Sequence, residues 1–272
     1  MTSFISWIGI DSRAPSSLYF ASDSRISWES KKTWDYAQKV FASKTQADLI
    51  GYIGDVLFPS QILGQVVNLI DNNLLYTNES RPEVRWSTIL SIIQSTFRKY
   101  PENHKRAFTI VYATRENSGM DSIFHMSSIN WDSKKDWNDN KWIELPKESD
   151  LIYSIGSGEK SIKKWYSHWS NTKHTRTSRS VFSAFCDSLN SGDDLLSGGA
   201  PQLIGLYRIG FAQSFGTIYN KKRYISGIPV STSELLESIE WRNSLFERCD
   251  WNTMERLDNA QRHPNPRGLG NV

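Results

Sequence analysis

The sequence predicts a mixed fold in which strands and paired helices alternate as layers, and three observations predict it. Apolar residues recur at period two in some short runs and near period 3.6 in others, marking strands and helices respectively. The runs come in the order strands, two helices, strands, two helices, strands, helix, so each helix pair can cover one face of a sheet. The chain has 272 residues, 38% of them hydrophobic, enough to bury one large core or two small ones. The pattern alone fits several layered α/β or α+β architectures.

The elements follow in order. Phe4, Trp7, Ile8 and Ile10 are separated by smaller or polar residues. A turn over Ser12–Ser17 and the apolar run Leu18–Ala21 complete a hairpin. Residues 37–42 and 48–53 read as a second strand pair. From about Val56 to Ile70, Leu57, Ile62, Val66 and Leu69 recur at helical spacing. A second helix is expected from about Ser87 to Tyr100, stopped by Pro101. Strands return at Phe108–Tyr112, Ser122–Met126 and Lys141–Leu145. Between the last two, Trp131–Asn140 is rich in Asp, Asn, Lys and Trp and reads as an exposed loop. The strand Leu151–Ile155 precedes helices at about 159–169 and 179–190, with a polar linker at Ser170–Thr177. Strands are expected at 202–210, 216–219 and 222–226, the last two joined by Asn220-Lys221. Ser231 or Ser233 would cap a final helix to about Arg248, with Glu234 and Glu237 in its first turn. From Asn259 onward, Pro264, Pro266, Gly268 and Gly270 predict a disordered tail. The expected organisation is one domain over 1–258 and a tail over 259–272.

Composition excludes several function classes. No apolar run approaches the length of a membrane span. The start lacks the basic and long apolar regions of a signal peptide, so a cytoplasmic location is expected. Asn78-Glu79-Ser80 fits a glycosylation sequon that a chain not secreted would leave unused. Cys186 and Cys249 lie in different helical patterns and read as reduced core thiols. The five histidines show no ligand spacing, so neither a metal nor another cofactor is expected. Net charge is +3. The cluster Lys160, Lys163, Lys164, Lys173, His174, Arg176 and Arg179 reads as a solvated helix face and loop. A nucleic-acid groove would carry denser charge and a recognisable module.

Thr2 carries the most chemistry. If Met1 is removed, and a small second residue permits that, one residue holds both a hydroxyl nucleophile and an α-amine able to act as its base. An α-amine ordinarily titrates at about 7.7–8.0, so a useful fraction is neutral near pH 7. Four downstream segments fit such a site. Phe20-Ala21-Ser22-Asp23-Ser24-Arg25 ends the first hairpin. Gln38-Lys39-Val40-Phe41 leads to a strand ending in Gly51-Tyr52-Ile53-Gly54. Gly156-Ser157-Gly158 turns a strand into a helix. Asp194-Leu195-Leu196-Ser197-Gly198-Gly199 precedes a strand-like run.

These residues, in this order, resemble the proteasome β-subunit family of N-terminal nucleophile (Ntn) hydrolases. The bacterial β-subunit-like members, of the unfoldase-partnered and Anbu types, are the most similar in motif. The resemblance covers about residues 2–226 and leaves 227–258, with its expected helix, as an addition. It implies a four-layer αββα sandwich. It also implies a catalytic set of Thr2, Asp23, Lys39, Ser157, Asp194 and Ser197, with the backbone N–H of Gly54 in the oxyanion hole. In that scheme Lys39 lowers the pKa of nearby groups, Asp23 holds it, and Ser157, Asp194 and Ser197 orient the amine and a water. Ala37, Phe41, Tyr52 and Val56 are implied as the first substrate pocket and suggest an apolar residue before the cleaved bond; all four would serve equally as core. The interval from Thr2 to Asp23 is 21 positions, longer than is common in the family, and the extra residues are expected in the turn at Ser12–Ser17. No long propeptide is expected before Thr2.

Gly156-Ser157-Gly158-Glu159-Lys160-Ser161 also invites a phosphate-binding reading at a helix N-terminus. It departs from a P-loop because Glu159 stands between glycine and lysine and would repel phosphate. The expected function is a threonine-type peptidase or amidase acting on peptides or polypeptides. The alternative is a catalytically inactive ring or scaffold subunit. Self-assembly in a ring or stacked ring is expected, with an unfoldase or adaptor as a further partner and no membrane or nucleic acid.

Overall fold

Two strands that are apolar on both faces lie at the centre of the computed structural model, which describes residues 2–28, 32–77, 79–231 and 234–260. The expected tail therefore lies outside the described residues from position 261, as does Asn78. Strands β1 (Ser3–Ile10) and β2 (Pro15–Ser22) form the first hairpin, registered from Phe4 opposite Ser22 to Ile8 opposite Leu18. Then follow β3 (Ile26–Trp28), β4 (Lys32–Trp34), β5 (Val40–Ala42), β6 (Asp48–Gly54), α1 (Leu57–Asp71) and α2 (Pro82–Arg98). Next come β7 (Phe108–Glu116), β8 (Ile123–Asp132), β9 (Asp136–Trp142), β10 (Asp150–Gly156), α3 (Glu159–Ser170) and α4 (Ser178–Ser191). The chain continues with β11 (Gln202–Tyr207), β12 (Gln213–Tyr219), β13 (Lys222–Ile225), β14 (Ile228–Pro229), β15 (Trp241–Asn243) and β16 (Arg248–Cys249).

One sheet runs β10-β1-β2-β11-β12-β13-β14, with β15 and β16 joined through β12; a second runs β5-β6-β7-β8-β9; β3 and β4 pair alone. Alternation along β1 and β2 sorts side chains between two apolar clusters. Ile5, Trp7, Tyr19 and Ala21 pack with Ile162 of α3 and with Val181, Phe182 and Phe185 of α4. Phe4, Leu18 and Phe20 meet Leu49, Ile53, Val111 and Met126 of the second sheet. A third cluster joins Tyr52, Ile110 and Tyr112 to Leu63 and Val66 of α1 and Ile89, Ile93 and Phe97 of α2. Burial on both faces is why Leu18–Ala21 of β2 reads as a continuous apolar run.

The structure departs from the sequence expectations in four places. Helix α2 begins at Pro82, five residues before Ser87, with Pro in its first turn and Glu83 beside it. Proline suits that position because the first helical N–H groups have no partner to lose. The stretch 131–140 is no loop: β8 and β9 form a hairpin in which Asp132 Oδ1 accepts from Lys134 N and Lys135 N. Its polar outer face hid the strand. The turn of the first hairpin spans only 11–14, where Asp11 Oδ1 accepts from Arg13 N and Ala14 N. Strand β2 thus begins at Pro15, inside the stretch Ser12–Ser17 expected to be turn.

The fourth departure is the expected C-terminal helix. Its place is taken by a 3₁₀ turn at Glu234–Ser238 and the short strands β15 and β16. Strand β15 pairs parallel to β12, with Trp241 opposite Gly216. A Cβ on Gly216 would lie 2.4 Å from the Trp241 ring, so the glycine makes room for the indole. Trp241 is 1% exposed and clusters with Ile218, Leu236 and Cys249. Asn243 Oδ1 accepts from Leu245 N and Glu247 N, closing a turn where helical period alone suggested continuation. Edge pairing outcompetes local propensity here.

Trp241→Ala should therefore cost about 3–5 kcal/mol, the usual loss for a fully buried large aromatic. Urea denaturation of the variant beside the wild type measures it.

Candidate functional site

Asp23 follows β2 directly, and its carboxylate is fully buried. Oδ1 accepts from Lys39 Nζ at 2.7 Å and from Ser3 N at 2.9 Å; Oδ2 accepts from Gly198 N at 3.0 Å and Arg25 N at 3.2 Å. Lys39, also fully buried, donates a second bond from Nζ to Arg25 O at 2.6 Å. Burial lowers the Lys39 pKa below its ordinary 10.5, and the Asp23 charge partly offsets that shift. Breaking such a pair from one side leaves an uncompensated buried charge.

A second polar group is linked to this pair through Ser3. Asp194 Oδ2 accepts from Ser157 Oγ at 2.7 Å and from Ser197 Oγ at 2.6 Å. Ser3 Oγ donates to Ser197 Oγ at 2.7 Å. A Cβ on Gly158 would lie 1.9 Å from Ser3 Oγ and 3.3 Å from Asp194 Oδ2, which explains the second glycine of Gly-Ser-Gly. The first, Gly156, has φ +108°, and its Cβ would lie 1.7 Å from Thr2 O. The turn that invited a phosphate is thus filled by its own partners: Asp194 on the Ser157 hydroxyl and Thr2 O on the Ser157 amide at 3.0 Å.

Thr2 is held between these groups. Its own carbonyl is fixed on Ser157 N, and the amide of the next residue is fixed on Asp23. The side chain is buried, and Oγ1 has no hydrogen-bond partner among the described residues. The expected residues Thr2, Asp23, Lys39, Ser157, Asp194 and Ser197 are therefore drawn together by contacts spanning as many as 194 positions. Gly54 ends β6 with φ +101°, and a Cβ there would lie 2.6 Å from Ala107 O. The neighbouring Ile53 Cγ2 lies 3.4 Å from the Cβ position of Gly156, so Gly54 stands at the same end of the sheets as Thr2.

The four residues expected to form the substrate pocket are placed otherwise. Phe41 and Tyr52 belong to the apolar cluster under α1, and Val56 packs against it. Ala37 is 5% exposed, and its carbonyl accepts from Gln202 Nε2. Phe41, Tyr52 and Val56 thus pack in the core. A cleft of about 450 Å³ adjoins the site and is lined by Arg25, Asp35, Tyr36, Asp194, Leu195 and Ser197, among others. A larger cleft, about 650 Å³, includes Ile10 and Phe124 and touches none of the expected catalytic residues. It lies at the far end of β1, on the order of 25 Å from Thr2 at about 3.3 Å per residue.

Sequence reasoning singled out neither Asp35 nor Gln202. Arg25 binds Asp35 through two nitrogens, at 2.7 and 2.9 Å, and donates to Leu195 O and Ser197 O. Gln202 donates to Ala37 O and Ser24 Oγ and accepts from Lys39 N. Neither residue carries a local motif, so no sequence signal marks it. The basic cluster at 160–179 is largely engaged by acids: Lys163 with Glu159, Lys164 with Asp193, Arg176 with Glu148 and Arg179 with Glu247. Cys186 and Cys249 are buried and unbridged. Among the described residues no helix is long and apolar enough to cross a membrane.

No protein-family model matches the sequence, and no curated protein matches it. Solved structures do match. The Anbu complex of Pseudomonas aeruginosa, described as a helical assembly, superposes with a TM-score of 0.55 at 11% identity, covering 85% of this chain and 88% of that one. Anbu (ancestral beta-subunit) from Yersinia bercovieri gives 0.50 at 11% identity, covering 75% and 81%. Eukaryotic HslV from Trypanosoma brucei gives 0.45 at 11%, covering 75% and 99%.

Lys39 supplies a pH test. Between its lowered value and 10.5 the unfolded chain holds the lysine proton more tightly than the folded one. Stability contributed by Lys39 therefore rises with pH through that window and is lost as pH falls through the folded value. Lys39→Met should flatten this slope, read as the difference in urea midpoints between variant and wild type as pH is raised toward 10.5. Superposing on the two Anbu structures over 85% and 75% of its length, this chain shares their fold.

Proposed function

We propose that this chain is an N-terminal threonine hydrolase that cleaves peptide or amide bonds through a covalent acyl-enzyme. The observation that carries this reading is the setting of Thr2, clamped between a buried Asp23–Lys39 pair and the Ser157–Asp194–Ser197 group. While residue 1 is attached, the nitrogen of Thr2 is an amide and not a base. Its removal frees an amine that takes the hydroxyl proton as Oγ1 attacks the substrate carbonyl carbon. The tetrahedral intermediate collapses by breaking the C–N bond, and the amine's proton leaves with the product. Water then attacks the ester, gives its proton to the same amine, and the C–O bond breaks to regenerate the hydroxyl.

In this scheme the Lys39 ammonium stabilises developing negative charge, and Asp23 keeps it in place. Ser157, Asp194 and Ser197 orient the amine and the hydrolytic water. Gly54 is assigned as an oxyanion donor from the resemblance and from its place at the end of β6. Residues 1–258 act as one domain, and three apolar clusters alternating with helices and sheets support its reading as a four-layer αββα sandwich. The helical assembly of the Pseudomonas Anbu supports self-association of this chain as well.

Intact mass should show the chain beginning at Thr2. An epoxyketone or β-lactone should label Thr2 in that form and not in one extended at its N-terminus. Thr2→Ala should fold and take no label, and Thr2→Ser should retain part of it. Lys39→Ala should lower labelling by roughly 10²-fold or more and destabilise the fold by about 3–5 kcal/mol. Full retention of Met1 with no labelling would overturn the hydrolase reading in favour of an inactive scaffold. A monomer mass by light scattering at every concentration would overturn self-association.

A further inference from the structure

Gln202 is the first residue of β11 and is 2% exposed. Its side-chain amide makes four contacts at the point where two chain segments meet. Oε1 accepts from Lys39 N at 3.1 Å. Nε2 lies 2.6 Å from Ala37 O, 3.0 Å from Ser24 Oγ and 3.3 Å from Asp23 O. The surroundings fix which end of the amide is which. Two carbonyls face the nitrogen and cannot donate, and a backbone N–H faces the oxygen and cannot accept. The Ser24 hydroxyl is committed as a donor to Ala200 O at 2.6 Å, so it too accepts from Gln202.

The two segments are the ones that carry the buried charges. Asp23 and Ser24 leave the end of β2, and Ala37 to Lys39 enter β5. Gln202 bonds the backbone of both charged residues, at Asp23 O and at Lys39 N. The charges themselves meet at 2.7 Å. A bond of that length is sensitive to a shift of a few tenths of an ångström in either segment. Arg25 and Asp35 pair on the solvent side of the same junction and belong to the same two segments.

We infer that Gln202 is a positioning residue that sets the alignment of Asp23 with Lys39, and through it the placement of the nucleophile. It touches neither Thr2 nor a substrate and acts through the pair. The inference rests on the hydrolase reading for its catalytic consequence, but not for the alignment itself.

Gln202→Glu keeps the shape and removes the donor. The new carboxylate would face Asp23 O and Ala37 O, with Asp23 and Lys39 as the nearest charges and Arg25 and Asp35 beyond them. Protonating it restores an O–H donor toward those carbonyls. Labelling by a β-lactone should therefore fall at least about tenfold at pH 8 relative to wild type. The ratio to wild type should recover as pH is lowered toward about 5, because burial beside Asp23 raises a carboxyl pKa. Gln202→Leu should be slow at every pH, with no recovery. Circular dichroism and thermal unfolding confirm that both variants are folded.

A second readout needs no activity. In ¹⁵N-lysine-labelled protein, the Lys39 Nζ resonance and its titration should shift in Gln202→Leu. Labelling of Gln202→Glu within about twofold of wild type at all pH, or the same pH-independent ratio in both variants, overturns the inference. A wild type that takes no probe overturns the hydrolase reading alone. The Lys39 titration then decides alignment, and an unchanged titration in Gln202→Leu overturns it.

Discussion

The buried pair of Asp23 and Lys39 is the constraint on which the rest of the site depends. Both side chains are fully withdrawn from water. Several kcal/mol of lost solvation per ion is recovered only when geometry is good and the remaining hydrogen-bonding capacity is filled. The fold meets both conditions with backbone groups. The amides of Ser3, Arg25 and Gly198 complete the shell of Asp23, and the carbonyl of Arg25 receives Lys39. These groups come from the start of β1, the end of β2 and the loop before β11, so the charge pair is complete only once those three segments have met the one that carries Lys39 into β5.

The same requirement explains the small residues around it. Gly198 must present its amide to Asp23 while the Arg25 guanidinium passes close by; a Cβ there would lie 2.5 Å from Arg25 Cζ. Gly156 and Gly158 let a strand turn into α3 directly against Thr2 and Ser3. The Asp194 carboxylate gathers two hydroxyls and, through Ser197, a third. The two polar groups meet at Ser3, whose amide binds one and whose hydroxyl binds the other. Thr2 is thereby fixed by its neighbours, and its own hydroxyl is left unengaged among the described residues.

Away from the site, other buried polar groups follow the same logic without any chemistry in view. Asp48 accepts from Tyr76 and Tyr112, with Arg85 at 3.7 Å. This group ties α2 to the second sheet. Burial and the Asp48 charge both push the two phenols far above their ordinary range, so they serve as hydrogen-bond donors and not as acids.

Much of this was legible in the sequence. Period and turn chemistry placed the first hairpin, helices α1, α3 and α4, most of α2 and the Asn220-Lys221 turn, where both residues have positive φ. The order of Thr2, Asp23, Lys39, Gly-Ser-Gly and Asp194 to Ser197 named the residues that the structure brings together, because each sits at a strand end or turn with a recognisable local pattern. What local pattern lacks, only the tertiary structure decided. Gln202 and Asp35 act through contacts 163 and 10 positions away and leave no mark on their neighbours. Phe41 and Tyr52 pack in the cluster under α1, a placement the sequence left open because an apolar residue facing a core and one facing a ligand are the same residue in sequence. Residues 231–248 carried a helical apolar period, yet the unpaired edge of β12 and the space beside Gly216 drew Trp241 into a sheet. Local propensity is worth tenths of a kcal/mol per residue, whereas burying one indole is worth several.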